Sequence, residues 1–156
     1  MEAVLTSAVA IVGTLLGVGF SYLVQHRMTT RNERFSRWRF LQEERMAAYS
    51  AYAASLAQCR RSELDRWHRA QENPGSAEAT DARLESYRLR GVARQELFRI
   101  RLVAQAPDLV RLAEEALHQV SAIHEAHDEQ ACHRSGHDAR RAVEDFAHAA
   151  GQQITS

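Results

Sequence analysis

Ala3 to Val24 is a run of 22 residues without one charged side chain, and nothing else in the chain limits its fold as strongly. As a helix rising 1.5 Å per residue it would reach roughly 33 Å, enough for the hydrocarbon core of a bilayer. Thr6, Ser7, Thr14 and Ser21 fit such a span, because their hydroxyls can donate to the helix's own carbonyls. A cleavable signal peptide is the rival reading, but the residue before the run is Glu2 rather than a cation, and no small-x-small cleavage site follows. A buried helix of a water-soluble core would be shorter and would carry a polar stripe. The run is therefore expected to be a membrane-spanning helix.

Charge sets its expected direction. Glu2 alone precedes the run, whereas Arg27, Arg31, Arg34, Arg37 and Arg39 follow it against the single Glu33, a net +4 over residues 27–40. Arginine is retained on the cytoplasmic side, so the N-terminus is expected outside and the C-terminus in the cytoplasm, in the plasma (inner) membrane. Phe35, Trp38 and Phe40 interleave with these arginines, as in a helix leaving or lying along the headgroup layer. Arg27, Arg31, Arg34, Arg37, Trp38 and Arg39 are thus the expected contacts to anionic lipid. All 20 basic residues are Arg, balanced by 20 acids, and this zero net charge argues against a general nucleic-acid binder. Within the run, Gly13, Gly17 and Ser21 stand four apart on one face, a spacing that lets two membrane helices pack closely. A homo-oligomer through this face and the Tyr49/Tyr52 stretch is expected from it.

The remainder reads as helices. No Pro or Gly interrupts Arg27 to Glu72, so the spanning helix is expected to continue, with Trp38, Leu41, Met46, Tyr49, Ala53, Leu56, Cys59, Leu64 and Trp67 at near-helical spacing. Asn73-Pro74-Gly75-Ser76 is a turn. A second helix over 77–104 offers Leu84, Leu89, Val92, Ala93, Leu97, Ile100 and Val103 for burial. Pro107 opens a third, whose stripe of Leu109, Leu112, Ala113, Ala116, Leu117, Val120 and Ile123 is strongly amphipathic. Ser135-Gly136-His137-Asp138 reads as a break before a last helix bearing Ala139, Val143, Phe146 and Ala150. The expected organisation is a transmembrane anchor over 1–26, an Arg-rich juxtamembrane helix over 27–45, a helical bundle over 46–151 and a frayed tail over 152–156. The fold class is all-α: a single N-terminal transmembrane helix running into a cytoplasmic antiparallel three- or four-helix bundle.

Candidate chemistry is sparse. Six of the eight histidines follow residue 117. His124, His127, Cys132 and His137 could supply nitrogen and sulfur ligands to a metal, although their spacing matches no standard zinc motif and His124-Glu125-Ala126-His127 is one residue short of the zincin pattern. The weightier reading is a set of surface histidines with no cofactor. Arg83, Arg90, Arg94 and Arg101 fall on one stripe of the second helix, near enough to Glu78, Asp81, Glu85 and Glu96 for a salt-bridged face. Arg60, Arg61, Arg66 and Arg69 surround Trp67, which suits the end of a core better than a base-stacking site. No phosphate loop, nucleophile elbow or catalytic triad is present, so an enzyme is not expected. Cys59 and Cys132 read as reduced, non-catalytic thiols.

Three segments carry a family resemblance. Val12-Gly13-Thr14-Leu15-Leu16-Gly17 resembles the opening of the KilB-type plasmid-transfer (spread) membrane proteins of actinobacteria. Gln58 to Arg69 is similar to their Arg-Arg-x-Met-Trp-x-Arg region, and Val92 to Leu117 to their Ala/Leu/Val-rich third quarter. The His-rich tract and the Asn73-Pro74-Gly75 turn depart from that pattern. The resemblance implies a membrane-associated factor of plasmid transfer, toxic when unregulated, with no catalytic residues. Residues and resemblance together lead to a membrane-tethered interaction or scaffold protein with an unidentified cytoplasmic or membrane protein partner. A metal-responsive membrane regulator and a membrane-anchored nucleic-acid binder are the alternatives.

Overall fold

The computed structural model describes the backbone of residues 2–155 and the side chains of residues 36–154. Four α-helices follow one another: α1 (Glu2–Glu72), α2 (Ala77–Val103), α3 (Pro107–Ala122) and α4 (Glu129–Thr155), with a 3-10 turn at Ile123–Glu125. No strand occurs among the described residues. The chain divides into two units, Met1–Leu41 and Gln42–Ser156. The first is the N-terminal part of α1; the second holds the rest of α1 and the other three helices. Among the described residues no helix is long and apolar enough to cross a membrane. The expected span Ala3–Val24, with Gly13, Gly17 and Ser21, lies outside the residues whose side chains are described, as do Arg27, Arg31 and Arg34. Arg37, Trp38, Arg39, Phe40 and Leu41 are exposed.

Each helix end has a local cause. After α1 the chain turns at Gly75, whose φ of 87° is open to a residue without Cβ. Ser76 then caps α2, its side chain accepting from the backbone N–H of Ala79 at 3.1 Å. Pro107 occupies the first turn of α3, where its missing N–H costs nothing. Asp128 caps α4 by accepting from the Ala131 N–H at 2.6 Å. That hydrogen bond is the main reason its carboxyl is held below the usual range.

Long-range contacts fix the order of the bundle. Residues of α1 meet α2 in descending order, Glu44 with Arg99 and Glu63 with Arg90, so these helices are antiparallel. Against the third segment the order ascends: the Tyr52 hydroxyl donates to the Ala113 carbonyl at 2.7 Å and the Trp67 indole N–H to that of Ala126 at 2.8 Å. Against α4 it descends again, with Tyr49 donating to Gln153 and Leu64 beside Gly136. The topology is up-down-up-down, the antiparallel four-helix arrangement expected of short connections.

The core runs along α1 as Tyr49, Tyr52, Leu56, Cys59, Glu63 and Trp67, all buried, at the alternating three- and four-residue spacing of a packed helix seam. Tyr49 and Tyr52 both meet the edge of Phe146 in T-shaped contacts, with ring centroids at 6.3 and 5.1 Å. Tyr49 and Tyr52, named in the expected self-association surface, are thus buried inside the bundle rather than displayed on it. Leu84, expected to be available for burial, is exposed, as are Trp38, Leu41 and Met46.

The break expected at Ser135–Asp138 is absent; α4 runs through it and onward to Thr155. Gly136 serves packing instead. A Cβ there would stand 3.3 Å from Leu64 Cδ2, so any larger residue would make the Leu64 side chain give by a few tenths of an ångström. Cys59 and Cys132 are both buried and unpaired. Burial pushes the Cys59 thiol up to about 11 and also raises that of Cys132.

Two outcomes are expected. Phe146→Ala leaves a cavity under both tyrosines and should cost about 3–5 kcal/mol in urea unfolding. Both thiols should ignore a maleimide at neutral pH until the bundle is unfolded, as read by mass spectrometry of the labelled chain; labelling at the native state would contradict their burial.

Candidate interaction surface

A carboxylate at a core position organises the end of the bundle near the α1–α2 turn. Glu63 lies on the buried seam of α1 with 0% of its side chain exposed. Arg90 of α2 donates to its Oε1 twice, from Nη2 at 2.5 Å and Nε at 3.2 Å. Both bonds fall on one oxygen and are charge-assisted. Oε2 receives no well-directed hydrogen bond. Arg66 Nη1 stands 3.6 Å from it and His124 Nδ1 3.2 Å. That imidazole nitrogen lies closer to the Ser121 carbonyl, at 2.8 Å. Arg90 Nη2 also stands 3.4 Å from this nitrogen, so its role as donor or acceptor follows from the ring's tautomer. Glu63, Arg66, Arg90 and His124 therefore knit α1, α2 and the end of α3 together.

The cluster also shapes the outside of α2. Arg66 and Arg90 lie over the Tyr87 ring at 5.0 and 5.8 Å from its centroid, holding it by cation–π attraction. Tyr87 is one of several large apolar residues on α2 that no other element covers. Leu84 is 57% exposed, Tyr87 51%, Phe98 57% and Leu102 85%. At 100° per residue these positions and Gly91 fall within an arc of about 60°. The core-facing residues Ala82, Ser86, Ala93, Leu97 and Ile100 lie on nearly the opposite side. α2 is thus apolar on two faces, one inward and one outward. Nothing lies within 4 Å of a Cβ built on Gly91, so the outward face has open space at its centre.

Arginine lines one flank of that face. Arg90 is committed to Glu63, and Arg101 to Glu114 at 2.7 Å. Arg83 and Arg94 make no ion pair among the described residues. Two of the four arginines of the stripe are thus paired, with Glu63 of α1 and Glu114 of α3 rather than with the α2 acids expected to neutralise them. On the other flank Glu85 is held by Arg88 at 2.6 Å, a hydrogen bond that lowers its carboxyl from the ordinary value. Sequence reading placed Leu84 in the core and passed over Tyr87, Phe98 and Leu102. The seven-residue spacing of Leu84, Gly91 and Phe98 was the signal that could have found this face.

The expected metal ligands do not come together. His124 is turned to Ser121 and Glu63, and Cys132 is buried in the core. His127 and His137 are exposed and lie beside Asp128 and Asp138 respectively. Among the described residues no three His, Cys, Asp or Glu side chains are grouped to hold a metal ion. Trp67 is buried, with its N–H given to Ala126, so no face of it is offered to a base. Arg66 and Arg69 of the same cluster are engaged by Glu63, Asp65 and Glu72.

Fold and surface together define a small helical bundle that displays an apolar, arginine-flanked helix face. Residues 46–154 match the family described as KilB plasmid transfer protein, and the chain belongs to that family. The match covers the bundle from the start of the buried α1 seam to the last turn of α4. No curated protein matches the chain, and no solved structure does.

The geometry sets contrasting expectations for two substitutions. Glu63→Ala strands Arg90 at a buried position and should cost about 3–5 kcal/mol. Phe98→Asp removes a half-exposed ring that lies under Arg101 of its own helix, 5.6 Å from the ring centroid, and should change stability by no more than about 0.5 kcal/mol. Urea unfolding of both variants checks this; equal losses would mean that the outward face of α2 is part of the core.

Proposed function

We propose that the chain is a membrane-tethered interaction protein of plasmid transfer, acting by binding rather than catalysis. Ala3–Val24 would cross the inner membrane, N-terminus outside, and Arg27, Arg31, Arg34, Arg37, Trp38 and Arg39 would rest on anionic headgroups of the cytoplasmic leaflet. The bundle would then present the outward face of α2 to a protein partner. Family membership supports the plasmid-transfer role. The observation that carries the interaction role is the exposed row Leu84, Tyr87, Phe98 and Leu102 on a helix whose opposite face is already packed. Large apolar side chains gathered on one exposed stripe mark contact sites more often than chance surface exposure does. Tethering converts a weak contact into a locally concentrated one, which suits assembly at a membrane. Gly13, Gly17 and Ser21 would pack a second copy within the bilayer.

The test is plasmid spread between mating cells, with protein level held equal. Removal of residues 1–26, and separately Phe98→Asp in the full chain, should each lower spread at least about tenfold, given what lost effective concentration or a lost contact costs. The intact chain should sediment with membranes and the truncated one should not. Normal spread from either variant would contradict the reading.

A further inference from the structure

We propose that the outward face of α2 is the docking site for an amphipathic helix of a partner protein, apolar along its seam and acidic along one edge. This rests on the interaction role above and names the chemistry of the partner. Leu84, Gly91 and Phe98 repeat at seven residues, with Tyr87 and Leu102 beside them, which is the seam geometry of a helix that receives another helix. From Leu84 to Leu102 it is about 27 Å long, a span of five turns. Gly91 at its middle, with nothing near its absent Cβ, lets the incoming helix axis come close. Tyr87 is already held under Arg66 and Arg90, so that anchor is ordered before any partner arrives.

Charge selects the occupant. Arg83 and Arg94 border the seam without an acid of their own among the described residues, and they call for carboxylates across the interface. A second copy fits poorly. Parallel pairing sets Arg94 against Arg94 across the seam, and antiparallel pairing lays the arginine flank against itself. An anionic bilayer fits less well than a protein, because the other edge carries Asp81 and Glu85 and its cations Arg88 and Arg99 are already paired with Glu85 and Glu44, whereas a surface-lying helix keeps its flanking cations free for lipid.

The test uses the full-length chain in phosphatidylcholine nanodiscs and two labelled three-heptad helical peptides with leucine seams. One carries Glu at the flanking positions and the other Lys, and fluorescence anisotropy reads binding. The Glu peptide should bind at least about tenfold more tightly than the Lys peptide. Phe98→Asp and Leu102→Asp should each weaken it by about tenfold or more, with circular dichroism unchanged. The double variant Arg83→Glu/Arg94→Glu should reverse the preference. Equal binding of both peptides, binding of neither, or a preference that survives the charge reversal would overturn the proposal. So would a Phe98-dependent self-association in sedimentation, which assigns the face to a second copy, or Phe98-dependent capture of phosphatidylglycerol vesicles, which assigns it to lipid. If Phe98→Asp abolishes plasmid spread while neither peptide is preferred, the face still acts and only the partner's chemistry is wrong. If spread is normal and the peptide preference holds, the transfer role fails instead.

Discussion

A carboxylate with no access to water must have its charge met inside the protein, and Glu63 imposes that demand on three helices at once. Its position on the buried seam of α1 leaves no route to solvent, so Arg90 must come from α2 and Arg66 from the next turn of α1. His124 arrives with the end of α3, held to the Ser121 carbonyl. A hydrophobic residue at 63 would pack with many rotations of α2. The two charge-assisted bonds from Arg90 to one carboxylate oxygen accept few. That restriction gives the bundle its register at the end where α1 turns into α2.

The same restriction decides what α2 shows to the outside. With Arg90 turned to Glu63 and Arg101 to Glu114, the helix can bury only Ala82, Ser86, Ala93, Leu97 and Ile100. Leu97 and Ile100 fill the inward face beside three small residues, while Tyr87 and Phe98, the largest apolar side chains of α2, are left outside with Leu84 and Leu102. The inversion is informative, since a helix folding for stability alone would bury its largest apolar side chains. Displaying them costs solubility and contributes little to the core, which is the feature the proposed contact role would explain.

Much of the architecture was legible in the sequence for local reasons. Ser76, Pro107 and the Asn73–Gly75 turn announce helix ends through caps and fixed backbone angles, and those ends fall within a residue or two of expectation. The stripe of α3 was legible because only one of its faces is apolar. α2 was not, because two apolar faces blur the periodicity and make Leu84 look like core. Gly136 misled for another reason: a glycine in a helix reads as a break unless the opposing Leu64 is known. The inward Tyr49/Tyr52 pair and the scattered His/Cys ligand set share one cause: spacing along the chain does not tell which way a side chain turns once four helices meet. The Glu63 cluster was invisible, for a lone glutamate on a core seam has no signature until Arg90, 27 residues later, folds over it.

The account therefore stands on the coupling between Glu63 and Arg90, since that pair fixes which face of α2 looks outward. A thermodynamic double-mutant cycle with Glu63→Gln, Arg90→Leu and the double variant, read by urea unfolding, measures it most directly. A coupling energy of about 2–3 kcal/mol, with the double variant more stable than the sum of the singles predicts, is the expected result. Additivity within about 0.5 kcal/mol would mean that the pair does not hold α2 in place, and the display of its outer face would need another cause.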